Sequence, residues 1–168
     1  MGPGSWFSEV FGYEPRHIYT AASLAEQDGD RLRALRGERL VRSFVVWDVR
    51  EREWFRDGPA ILDFGVTRFE IAGFKDYLCV SWDSIDVTRP IDWDDDEHAL
   101  EWRANALPEL HRMCGRTIDA VRIVEYQGAL SGVQFCSGSV GVELFNTLDE
   151  LEVADAFPPD PAVVRRDV

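Results

Sequence analysis

The chain has 168 residues, 45% of them hydrophobic, with ten Phe and six Trp, enough to bury about two thirds of its unfolded surface in one core and too apolar for a disordered segment. Its net charge of −13 argues against a nucleic-acid partner, because neutralising phosphates requires a basic face. No apolar run approaches the roughly 18 residues of a membrane span, and no basic stretch followed by an apolar block opens the chain, so no membrane association and a cytoplasmic location are expected.

In chain order, Trp6, Phe7, Val10 and Phe11 fall on one helical face behind Ser5 and before Gly12, which predicts a short N-terminal helix. Residues 1–29 form this helix and a linker. Asp30 is read as the cap of a short helix over 31–36, closed by Gly37, and residues 40–49 as a strand. Residues 50–60 are turn-like, with Trp54 and Phe55 either folded back as a lid or left as a contact site. Three short strands follow at 61–65, 67–73 and 76–83. In the last, Leu78, Val80 and Trp82 share one face and Tyr77, Cys79 and Ser81 the other. Residues 84–106 are an acidic connector carrying D-W-D-D-D-E at 92–97. Pro108 opens a second short helix that Gly115 closes, and strands are expected at 117–126, 132–136, 139–145 and 150–154. Residues 157–168 read as a proline-stiffened tail.

A repeat organises this list. Residues 32–47 return as 110–125: Leu32 matches Leu110, Leu35 Met113, Gly37 Gly115, Leu40 Ile118, Val45 Ile123 and Val46 Val124, a constant offset of 78. A second echo sets Phe64, Phe69, Ile71 and Phe74 against Phe135, Val140, Val142 and Phe145 at an offset of 71. The predicted fold is therefore α+β and mostly β: two duplicated halves, 30–83 and 107–156, each a helix followed by antiparallel strands, joined into one sheet or barrel-like system within a single domain.

The usual catalytic signals are missing. The cluster C-S-G-S-V-G at 136–141 lacks nucleophile spacing and reads as a hairpin. His17, His98 and His111 stand apart, and Cys79, Cys114 and Cys136 are widely spaced, as expected of buried reduced thiols and not of a zinc site. The acid run lacks the glycine and terminal acid of a calcium loop, and no glycine-rich phosphate loop follows a strand. No catalytic residue, metal or cofactor is expected. Charge is distributed unevenly: eight arginines lie between Arg31 and Arg56, whereas 123–164 contains seven acids and neither Lys nor Arg.

Three stretches of the second half, W-R-A-N-A-L-P-E-L at 102–110, G-R-T-I-D-A-V at 115–121 and V-E-L-F-N-T-L-D-E-L-E at 142–152, resemble small strand-rich bacterial immunity-type proteins that accompany toxins. The resemblance implies a non-enzymatic protein that neutralises a cognate toxin by binding it, and it carries no catalytic residues. Acidic surface suits that role, since a complementary field speeds encounter with a basic partner. The expected partner-binding residues are the two densest acidic groups: Asp92, Asp94, Asp95, Asp96 and Glu97 with Trp93 as an aromatic anchor, and Asp149, Glu150, Glu152 and Asp155. The alternative is a small enzyme or ligand-binding domain with a pocket between the halves.

Overall fold

A computed structural model describes residues 9–93 and 96–168. The predicted N-terminal helix and the acids Asp94 and Asp95 fall largely or wholly outside them. After Val10, which is buried, come β1 (Arg16–Ile18) and α1 (Ala21–Ala34). This helix starts ten residues before the helix predicted at 31–36. The Thr20 hydroxyl caps it by accepting the Ser23 N–H at 3.1 Å, and Asp30 lies within it. Its inward face escaped the apolar pattern because Asp28 and Gly29 are buried there beside Leu24 and Leu32.

The first half continues with β2 (Arg42–Asp48), β3 (Glu53–Trp54), β4 (Ala60–Asp63), β5 (Arg68–Phe74) and β6 (Tyr77–Trp82), followed by β7 (Leu100–Ala104) inside the predicted connector. The second half holds α2 (Pro108–His111), β8 (Ala120–Tyr126), β9 (Ala129–Ser137), β10 (Val140–Asn146) and β11 (Leu151–Ala154), and then β12 (Val163–Asp167) where a tail was predicted.

The strands form two antiparallel sheets in place of the one expected. In the first, β1-β6-β5-β4-β2 run in order; β3 continues β4 along one edge of β2, and β7 occupies the other. The second is β11-β10-β9-β8-β12. Each thus contains a meander, β2-β4-β5-β6 or β8-β9-β10-β11, with the next strand, β7 or β12, crossing back to lie beside the meander's first; β1 is added beyond β6. The sheets meet across a core containing Phe69 and Ile71 from one and Phe135 and Val142 from the other, with Phe69 and Phe135 packed edge to face at 5.7 Å. Leu78, Val80 and Trp82 face this core and Tyr77 and Cys79 the opposite side, as the alternation predicts.

The repeated stretches pair with each other. Arg39 bridges Thr117; Gly37 N donates to Ile118 O (2.8 Å) and Gly115 N to Leu40 O (2.7 Å); Leu40 N donates to Arg116 O (3.1 Å) and Ile118 N to Glu38 O (2.8 Å). The 78-residue offset carries each bond onto its counterpart. Both glycines are left-handed, with φ +89° and +81°, so each ends its helical turn in the conformation the sequence predicts.

Strand pairing relates the two sheets at a different offset from that of the second echo. Phe44 faces Ile61, Ile61 faces Glu70 and Glu70 faces Ser81, whereas Arg122 faces Gln134, Gln134 faces Glu143 and Glu143 faces Ala154. Aligning Phe44 with Arg122 sets the hairpin strands at an offset of 73, where the echo has 71. A slip of two keeps every side chain on its face, which is why the echo looked sound.

Candidate functional site

The loop between β2 and β4 gathers the acidic segments. Trp54 is buried in the core, and Phe55 packs against Trp93 at 5.4 Å and His98 at 5.1 Å, so both aromatics find cover. Arg50 donates to the Asp96 carbonyl, while Arg56 pairs with Glu152 and accepts the Leu151 N–H at 3.0 Å. One loop therefore ties Trp93 and Asp96 to the β10–β11 turn.

Asp57 lies between them. It is exposed by surface area, but the loop around it still withdraws solvent from the carboxyl; this desolvation first, and then the charges of Glu150 and Asp149, push it above the usual carboxylate range against the opposing pull of His98. Three carboxylates thus repel one another here.

The structure separates the predicted acids. Asp92, Asp96, Glu97, Asp149 and Glu150 are exposed. Glu152 is paired with Arg56, and Asp155 with Arg112 at 2.5 Å. Asp149 accepts the Lys75 N–H at 2.7 Å and so also shapes a turn. Trp93 is half-buried against Phe55. Sequence reasoning missed Asp57 and His98, which meet these groups only through the fold. Of the thiols, Cys79 is buried as expected and pushed up to about 12 by burial, whereas Cys114 and Cys136 are only half-buried.

Behind this surface, Asp48 is 2% exposed and meets His98 Nδ1 at 2.7 Å. Burial raises its pKa, but hydrogen bonds from His98 and from the amides of Arg50, Glu51 and Ala99 outweigh that and hold it below the ordinary value. A folded-state pKa below the unfolded one, about 3.9, gives stability that is present above the unfolded value and lost as pH falls through the folded one. Melting Asp48→Asn beside the wild type from pH 7 to pH 3 should show the gap between them closing on the acid side. A gap independent of pH would remove Asp48 from the acid limb.

A second feature is a groove of about 750 Å³ on the outer face of the second sheet. Val124, Phe145, Ala154 and Phe157 supply apolar lining, and Glu143 and Arg165 a charged pair at 2.8 Å. Lys75 and Asp76 reach its rim from the first half.

Among the described residues no group of three or more His, Cys, Asp or Glu could hold a metal ion, and no helix is long and apolar enough to cross a membrane. No protein-family model, curated protein or solved structure matches this chain.

Proposed function

We propose that this protein is a non-enzymatic binding module that takes a basic protein partner on the acidic surface formed by Asp92, Asp96 and Glu97, Asp57 and the β10–β11 turn. The observation that carries this reading is the gathering of Asp57, Asp149 and Glu150 as exposed carboxylates on one surface, close enough for the latter two to act on Asp57 with like charge; a cationic partner would relieve that repulsion. The resemblance of the second half to immunity-type proteins narrows the partner to a toxin and the location to the cytoplasm. We also infer that the halves are copies of one helix-and-meander unit, which the reciprocal bonds about Arg39 and Thr117 support.

Carboxylates on such a surface are solvated in the free protein and contribute little to folding. Changing Asp94, Asp95 and Asp96 together to Asn should therefore leave the melting temperature unchanged. It should slow association with the partner captured from the native host by about tenfold at low salt and flatten the salt dependence, because steering follows the local field. Stopped-flow association at low and high ionic strength reads both. Equal on-rates and equal salt slopes for variant and wild type would sink the reading.

A further inference from the structure

The two sheets carry the same row on their outer faces. In the first it runs Ser81, Glu70, Ile61, Phe44, Ala104; in the second, Ala154, Glu143, Gln134, Arg122, Asp167. Glu70 and Glu143 occupy the same place, and both are buried.

Their surroundings differ. Above Glu70 lies the chain that follows β6: Ser84 N and Ile85 N donate to its Oε1 at 2.9 and 2.8 Å, and Ile85 joins Val10, Tyr13 and Ile61 in an apolar cluster that closes the face. Above Glu143, among the described residues, the short crossover at 155–162 passes. Its Phe157 packs by Gly141 and stacks on Arg165 at 5.1 Å, and the groove stays open beside it. Glu143 Oε2 accepts from Arg165 Nε (2.8 Å) and Gln134 Nε2 (3.4 Å). Its Oε1 has no donor among the described residues and opens onto the groove that the side chain lines. A carboxylate oxygen that in one sheet holds the backbone of a covering segment is thus left without one in the other.

The groove rim adds strain and charge. Leu148 is 78% exposed with φ +58°, and Asp149 follows at φ +79°. They are the central pair of a tight hairpin turn closed by Thr147 N to Glu150 O at 2.9 Å, positions that favour Asn and Gly. A bulky apolar residue held there in solvent is a cost to the free protein. Lys75 and Asp76 line the groove, and Asp149 and Glu150, which adjoin Leu148, leave this rim net acidic.

We propose that the groove receives an extended segment of the protein partner, as residues 84–91 cover the first sheet. An aromatic or branched aliphatic side chain rests on Val124, Phe145 and Ala154, a backbone N–H reaches Glu143 Oε1, and flanking Lys or Arg meets Asp76, Asp149 and Glu150. This rests on the basic-partner reading above and assigns it a contact.

The test uses the full chain and dye-labelled, end-capped heptapeptides with a central Phe or Ser and Lys or Glu on both flanks, read by fluorescence polarisation. The Lys-flanked Phe peptide should bind saturably, and the Ser peptide at least about tenfold more weakly. Ala154→Trp, which fills the floor, should weaken the Phe peptide by at least about tenfold. Leu148→Asn should also weaken it, by about fivefold, while raising the melting temperature, because it removes the strain along with the contact. A purely structural role for Leu148 would not separate binding from stability in that way. Equal binding of Phe and Ser peptides, an Ala154→Trp variant that is folded and binds normally, or no saturation below about 1 mM would each overturn the groove assignment and leave the acidic surface standing. Equal binding of Glu- and Lys-flanked Phe peptides would instead retain the apolar seat and overturn the basic partner.

Discussion

Gly132→Ala is expected to cost about 3 kcal/mol or more, a large share of the roughly 5–15 kcal/mol that holds a domain of this size together. Gly132 faces Phe145 across β9 and β10, and an added Cβ would stand 2.7 Å from Phe145 Cα, 2.8 Å from Phe145 Cβ and hard against the Leu144 carbonyl. Two of those obstacles are backbone. The strands can admit the methyl only by parting, which breaks the sheet in its middle. Gly128→Ala is the control, since nothing lies within 4 Å of its Cβ and only its φ of +79° opposes the change, worth about 1 kcal/mol. Urea melts of both variants read the difference. If Gly132→Ala were as mild as Gly128→Ala, the close approach of β10 would be wrong.

Glu70→Ala should be as severe. The carboxylate is fully buried and accepts from the Ser81 hydroxyl, from Ser84 N–H and hydroxyl, and from Ile85 N–H. Removing it strands several donors at about 1–3 kcal/mol each, for an expected loss of about 3 kcal/mol or more. The damage should be local first: amide exchange at Ser84 and Ile85 should accelerate before global unfolding, because those bonds pin the covering segment. Glu70→Gln keeps an acceptor oxygen and should lose less. Equal melting of Glu70→Ala and wild type, with unchanged exchange at Ser84, would show that the segment is held by its apolar contacts alone.

These two sites also mark the limit of what the residues declare on their own. The central strands were legible because each alternates or runs apolar between turn residues: 76–83 was expected and Tyr77–Trp82 is found, and 139–145 became Val140–Asn146. The strands β1, β7 and β12 were not, because an edge strand pairs on one side only and R-H-I, L-E-W-R-A and V-V-R-R-D are half exposed. Helix α1 hid behind a buried aspartate and glycine. The acidic groups were plain as charge, but that Arg56 occupies Glu152 and Arg112 occupies Asp155 depends on contacts 96 and 43 residues apart in sequence. Glu143 stood out only as an acid within V-E-L-F. That it holds the same register position as Glu70 appears once the pairing is known, because the pattern alone is blind to a shift of two.

Under the proposed duplication, the bridge between Arg39 and Thr117 joins two residues that are each other's counterpart. A contact of that kind is isologous, the geometry of a twofold homodimer. Two identical chains meeting this way would be obliged to treat their outer faces alike: a segment long enough to shut one would shut the other, and a mutation opening one would open both. Joined in one polypeptide, the two sides answer to separate codons. One connector can lengthen until its face is closed while the other stays short, and the molecule keeps one face closed and the other open.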